Sequence, residues 1–198
     1  MTVVYNSEGN TIGAYDGDSD SGKFYDKDGK TIDTAHSGEN RTLAHLNDIP
    51  EYLQDAFISI EDERFEKHIG IDIKRTAAAV VQFVFTGDSE FGGSTITQQL
   101  IKKVTEDNGR NWQRKAREIV RAIQVEQWLT KDQIIELYMN MIYLGSGAYG
   151  VETAAYTYFN KSAADLDIAE SALIAGLAQA PEGYNPYRYP EKTKKRQE

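Results

Sequence analysis

Two short polar strings interrupt the apolar runs in the middle of this chain: EDERFEKHIG at 61–70 and GGSTITQQ at 92–99. Glu61 follows an apolar helical face and opens a run holding four acids within residues 61–66. Clustered carboxylates repel one another, and burying any of them raises its pKa, so Glu61 can be poised as a general base. A solvated helix surface with Glu61–Arg64 and Glu63–Lys67 ion pairs is the plainer reading of the same string. Phe65 and His68, at helical spacing from Glu61, weigh against it, although His68 alone reads as a structural hydrogen-bonder. In the second string two glycines precede Ser94, the expected N-cap of a helix. Such a turn exposes backbone N–H groups as an anion seat, and Gln98 and Gln99 suit sugar hydroxyls and amides. A simple capped helix is the alternative there.

A third element lies in a basic island. The chain carries a net charge of −9, yet residues 91–121 hold 3 acids and 7 bases. Lys102 and Lys103 end the Ser94 helix, and Arg110, Arg114, Arg117 and Arg121 recur at spacings of 4, 3 and 4, one helical face. Glu118 shares that face. An Arg114–Glu118 surface pair would contribute only about 0.2–0.5 kcal/mol. Four stacked arginines repel unless an anion neutralises them, and a diphosphate fits the bidentate habit of guanidinium groups.

These residues need a mainly helical frame. Apolar positions Ile49, Leu53, Ala56, Phe57 and Ile60 predict a first helix starting near Pro50 and ending near Gly70. Asp72 is placed to cap a second helix over 73–85, nearly all apolar from 77 onward. That helix is either buried or dips into a membrane surface. The third helix follows Ser94, and a fourth runs from about Trp112 to Leu129. Thr130 with Gln133 and Asp167 with Glu170 form capping-box patterns for two more, the latter stopped by Pro181. Before all of these, VYNSEGNTI (4–12) and FYDKDGKTI (24–32) repeat one pattern and predict two β-hairpin-like units. The expected division is a β appendage at 1–40, a helical domain at 41–190 and a tail at 191–198.

Composition narrows the classes. With no cysteine there is no disulfide scaffold, thiol nucleophile or cysteine metal site. His36, His45 and His68 lack metal-ligand spacing, so no metal site is assigned. No apolar run approaches the 18 residues of a membrane span. A local basic island in an acidic chain argues against nucleic acid as a partner.

The motifs together resemble those of the family 51 glycosyltransferases, the peptidoglycan polymerases found alone or as a module of class A penicillin-binding proteins. Residues 61–70 fit EDxxFxxHxG and 92–99 fit GGSTITQQ; RKAREI (114–119) looks like the RKxxE motif and KDQIIELYMN (131–140) like the fourth. YLGSGAYGVETAAYTYF and LIAGLAQAPEGYNP resemble the remaining stretches, so the likeness covers about residues 40–190. Lys103 and Ala178 depart from the commoner asparagine and proline.

The resemblance implies a lysozyme-like, two-lobed helical fold and a reaction. Glu61 would match the general base that deprotonates the 4-hydroxyl of incoming lipid II, and Glu118 the second catalytic acid, near the leaving diphosphate. Substrate-binding positions would be Asp62, Phe65, His68, Gly93, Ser94, Thr95, Gln98, Gln99, Lys102, Arg110, Arg114 and Lys115. The implied partners are lipid II, the growing undecaprenyl-diphosphate-linked glycan strand, the membrane surface and a cell-wall synthesis complex. The implied location is the extracytoplasmic face of the bacterial plasma membrane. No cofactor is required by the sequence; a divalent cation, Mg or Mn, could assist the diphosphate. The family's N-terminal anchor is not in this sequence, which suggests a soluble piece of an anchored protein. The closing NPYRYPEKTKKRQE resembles the exit toward a C-terminal transpeptidase domain. Two rival readings share these features. One is a lysozyme-like muramidase or lytic transglycosylase with Glu61 as general acid, for which the basic stripe has no use. The other is a non-catalytic lipid II- or glycan-binding module.

Overall fold

The computed structural model describes the backbone of residues 2–5, 11–15, 23–25, 31–34, 40–77, 93–105 and 112–197, with side chains from residue 42 onward, Trp112 excepted. The two expected hairpins are present: β1 (Thr2–Tyr5) pairs antiparallel with β2 (Thr11–Tyr15), and β3 (Lys23–Tyr25) with β4 (Thr31–Thr34). Everything after them is mainly α, as the periodicity predicts.

The first helix, α1 (Glu51–Glu61), follows Pro50 and buries Leu53 and Phe57. It ends nine residues before the expected Gly70. Asp62 leaves helical geometry (φ −156°, ψ 68°), and its side chain turns inward to 0% exposure. Phe65 and His68 therefore sit on a separate 3-10 turn (Phe65–Lys67) and its exit, not on a helical face shared with Glu61. The Glu61–Arg64 ion pair expected on that face is replaced too, since Arg64 binds Asp72. Gly70 closes the segment at φ +93°, where a Cβ would stand 2.4 Å from the Ala122 carbonyl oxygen. Only glycine meets both conditions without strain.

Asp72 caps a helical turn at 73–77 by accepting from Arg75 N (3.0 Å); the rest of the predicted 73–85 helix lies outside the described residues. α2 (Ile96–Thr105) is capped by Thr95 and not by Ser94. Gln98 N donates to Thr95 Oγ1 (3.1 Å) and Thr95 N to Gln98 Oε1 (3.0 Å), a reciprocal capping box. α3 (Trp112–Trp128) packs on α2, and so does α4 (Lys131–Met141). The capping boxes at Thr130 and Asp167 form as predicted, starting α4 and α6 (Ile168–Leu177). α6 ends four residues ahead of Pro181.

Four elements were not anticipated. β5 (Asn40–Arg41) and β6 (Ala148–Tyr149) form a short parallel pair. α5 (Val151–Phe159) begins at Gly150, whose φ of +81° and close approach to Asn140 exclude a side chain. α7 (Pro190–Gln197) occupies the expected tail and packs on α6, which itself packs on α1. One core joins these helices: Phe57, Phe65, Ile96, Tyr138, Met139, Leu144, Ile174 and Leu177 are each fully buried. Truncating Phe57 or Phe65 in such a core costs about 3–5 kcal/mol. That packing holds the C-terminus of α1 against the N-terminus of α2, where the two polar strings meet.

Candidate active site

A cleft of about 390 Å³ is lined by Ile60, Glu61, Arg75, Ser94, Gln99, Ala178, Gln179 and Arg196. Glu61, at the last position of α1, is half-buried there, and its Oε2 accepts from Gln99 Nε2 (2.6 Å). Gln99 Oε1 in turn accepts from the buried Tyr138 hydroxyl (3.3 Å). Burial, then the charges of Glu61 and Asp62, push the Tyr138 phenol well above its ordinary value. It therefore stays protonated, a permanent donor.

Ser94 links this wall to the basic island. Lys115 Nζ donates to Ser94 Oγ (2.9 Å) and also pairs with Glu118, whose other oxygen takes Arg114. Glu118 is 5% exposed, so it is not the weak surface pair of the plainer reading. A buried carboxylate is tolerable because two cations share it. The trio carries one net positive charge at the side of the cleft that Ser94 lines. Lys102 stands exposed on the last turn of α2, Arg117 is exposed and Arg121 half-buried on α3, and Arg110 lies outside the described residues.

The other sequence candidates lie beneath the cleft. Asp62, Phe65, Thr95 and Gln98 are at most 1% exposed and the His68 ring 5%, so in this structure they hold the site together and do not face a ligand. Asp62 Oδ2 accepts from Ile96 N (3.0 Å) and bonds His68 Nε2 (2.7 Å). Gly70 N donates to His68 Nδ1 (3.1 Å), which puts the ring proton on Nε2, facing Asp62. Thr95 Oγ1 donates to the Gly70 carbonyl (2.7 Å). The expected anion seat at the start of α2 is thus filled from within: the anion at that helix N-terminus is the Asp62 carboxylate. Gly93 remains half-buried beside Ser94.

Several residues in this arrangement had no assigned role. Lys131 donates to Glu126 (2.7 Å) and to the His68 carbonyl (2.9 Å), and its ammonium lies 4.5 Å from the Phe65 ring centre. Glu126 also accepts from Thr97 Oγ1 (2.6 Å), so α2, α3, α4 and the 3-10 turn are stapled at one point. Arg75 Nη1 donates to the Glu61 carbonyl (2.9 Å) and lies 3.6 Å from Asp62 Oδ1. Arg196 and Gln179 reach the cleft from the C-terminal side. Lys131 lay inside a recognised string, but nothing in the spacing singled out Glu126, Arg75 or Arg196.

Residues 28–198 match the family model described as Transglycosylase. Similar curated proteins include Penicillin-binding protein 1F of Bacillus subtilis (strain 168), 39% identical over 178 residues, covering 90% of this chain and 25% of that one. Penicillin-binding protein 1A of Neisseria flavescens is 45% identical over 174 residues, covering 88% and 22%. Penicillin-binding protein 1A of Pseudomonas aeruginosa is 45% identical over 175 residues, covering 88% and 21%. The chain spans no more than a quarter of the length of these relatives. A crystal structure of Penicillin-Binding Protein 1A from Haemophilus influenzae aligns at TM-score 0.45 and 28% identity, covering 86% of this chain and 16% of that one, too loosely to carry an argument. The family match over 28–198 carries the assignment instead: this chain belongs to the transglycosylase family, the family 51 glycosyltransferases of class A penicillin-binding proteins.

Proposed function

We propose that the protein polymerises lipid II into β-1,4-linked glycan strands, releasing undecaprenyl diphosphate at each step. The observation that carries this reading is the shared wall of the cleft. Glu61 lines it together with Ser94, and the Ser94 hydroxyl is bonded to the Lys115–Glu118–Arg114 cluster. A base and a cationic group are the two things that glycosyl transfer from a lipid diphosphate demands.

In this mechanism Glu61 takes the proton from the 4-hydroxyl of the incoming N-acetylglucosamine. The freed oxygen attacks C1 of the growing strand and forms the new C–O bond with inversion from α to β. The bond between C1 and the diphosphate oxygen breaks, and its electron pair leaves with undecaprenyl diphosphate. Gln99 donates to Glu61 Oε2 and holds that carboxylate in the cleft. Lys115 and Arg114, with Lys102 and Arg110, offset the charge that grows on the leaving group, the largest electrostatic demand of the step. Glu118 orients the first two. Ser94, Gly93 and Gln99 present polar groups to the donor sugar. A divalent cation, Mg or Mn, could assist the leaving diphosphate; Asp62 and Glu118 are engaged by protein donors, and the steps above are those of this chain's own residues. On this reading the chain acts at the extracytoplasmic membrane face, and the greater length of relatives named as penicillin-binding proteins supports its being one module of a longer protein with a transpeptidase domain.

The test is Glu61→Gln in a lipid II polymerisation assay resolved by glycan length. Loss of a general base should slow polymerisation by about 100-fold or more. Glycan made at the wild-type rate by the variant would remove Glu61 from the role; shortening of finished glycan by the wild type would favour a hydrolase.

A further inference from the structure

Three cations at or beside the cleft are committed to protein oxygens. Arg114 and Lys115 share Glu118, and Arg75 donates to the Glu61 carbonyl (2.9 Å) and stands 3.6 Å from Asp62 Oδ1. A fourth, Arg196, lines the cleft with Glu61, Ser94 and Gln179, and among the described residues no carboxylate pairs with it. Its Nε is buried without an acceptor, and its guanidinium lies 5.9 Å from the Tyr184 ring centre. The side chain is nevertheless firmly placed on α7. Thr193 Oγ1 donates to the Tyr189 carbonyl (3.0 Å), and Gln197 Nε2 to the Ala169 carbonyl (2.6 Å). Gly176 makes room for the stem, since a Cβ there would stand 3.3 Å from Arg196 Cγ. A positioned guanidinium with no counter-ion, facing a cleft, is built to receive an anion.

We infer that Arg196 is a second anion-binding point of the cleft, holding an anionic group of the incoming lipid II and not the diphosphate that leaves. This deepens the reaction proposed above and rests on it. Transfer between two lipid-linked sugars brings two anionic substrates to one base. The Lys115–Glu118–Arg114 cluster, bonded to the Ser94 wall, serves the group that departs. The substrate whose 4-hydroxyl meets Glu61 keeps its own anions, a diphosphate and stem-peptide carboxylates, and a guanidinium fork suits either. Their charge does not change during the step, so a contact with them is equally strong in the ground and transition states. Losing it raises KM and spares kcat. Losing a group that serves the leaving diphosphate lowers kcat instead.

The experiment extends a saturating, preformed glycan-lipid primer with labelled lipid II, so that KM reports on the incoming substrate alone. Arg196→Met keeps a stem against Gly176 and removes the charge. KM for lipid II should rise about tenfold or more, with kcat changed less than about threefold. Arg196→Lys keeps the charge without the fork and should recover part of the loss. Thermal unfolding checks that the variants fold, and Arg196→Gln replaces Arg196→Met if that one does not. Repeating the measurement with lipid II whose stem carboxylates are amidated identifies the anion. A KM penalty that vanishes assigns the carboxylates, and one that persists assigns the diphosphate. An unchanged KM in the folded, uncharged variant, or a fall in kcat at constant KM, would overturn the inference. If the wild type makes no glycan from lipid II, the proposed reaction itself has failed. If it does and the uncharged variant matches it, only the role of Arg196 has failed.

Discussion

Asp62→Ala should destabilise this protein more than any other change to a charged group of the site, although Asp62 touches no solvent. The side chain is 0% exposed, and its Oδ2 accepts from the Ile96 amide and the His68 ring. Alanine leaves both N–H groups buried without an acceptor. Each stranded donor costs about 1–3 kcal/mol, and the vacated volume adds to that. The expected loss is about 3–5 kcal/mol, a large part of the roughly 5–15 kcal/mol by which a domain is stable. Asp62→Asn should lose less, about half as much, because one oxygen is kept. Its new NH2 group then faces Arg75, which lies 3.6 Å from Oδ1. Urea unfolding followed by circular dichroism measures both variants. At a temperature where each is still folded, polymerisation should fall through kcat, because the chain that leaves Glu61 is no longer fixed. A loss below about 1 kcal/mol for Asp62→Ala would refute the argument, since it would mean that the two donors find other partners.

Gly70→Ala forces a side chain into left-handed backbone and against the Ala122 carbonyl at 2.4 Å. A loss of at least about 2 kcal/mol in thermal unfolding is expected. Asp72 offers a pH test. Burial raises its pKa, but the Arg64 hydrogen bond and charge together with backbone donors prevail and hold it below its ordinary 3.8. A depressed carboxylate stabilises the fold above its unfolded pKa, and that contribution vanishes as pH falls through the folded value. Arg64→Met should therefore shift the acid-unfolding midpoint upward and make stability less pH-dependent between the unfolded value near 3.8 and the lower folded one, read by fluorescence against pH. Arg114→Ala should weaken binding of undecaprenyl diphosphate about tenfold or more in calorimetry and leave binding of diphosphate-free glycan nearly unchanged. Equal losses for the two ligands would contradict a diphosphate clamp.

Signals in the sequence are legible where the physics is local. Thr130, Asp167 and their partners three residues on formed the capping boxes that their types predict. The same rule was legible at Thr95 and Gln98, but the glycines pointed one residue early, to Ser94. Freed from capping, Ser94 meets Lys115, 21 residues away. The end of α1 at Glu61 is hidden from the sequence for a different reason. Periodicity alone continues past Glu61, and what stops the helix is Asp62 reaching the Ile96 amide, 34 residues on. Long-range pairs of this kind leave no local trace. Neither does β5, two residues whose partners lie 108 positions away. α5 starts on Gly150 without a side-chain cap, so it carried no start signal to read.

That inward turn of Asp62 explains why two adjacent acids take opposite parts. Glu61 ends a helix whose apolar face is anchored by Leu53 and Phe57, and so it points into the cleft. Asp62, one residue later and out of helical geometry, points to the other side of the chain. There the N-terminus of α2 and the His68 ring supply donors, while Arg75 supplies charge nearby. The first string is thereby nailed to the second, and Glu61 inherits a fixed position relative to Gln99 and Ser94. Glu126 and Lys131 repeat the device one layer down, binding Thr97 of α2 and the backbone at His68. On the proposed mechanism a base must meet its substrate and cannot be buried to hold it still. Here the neighbours are buried instead, and Glu61, the carboxylate that lines the cleft among the described residues, gains their rigidity while staying accessible.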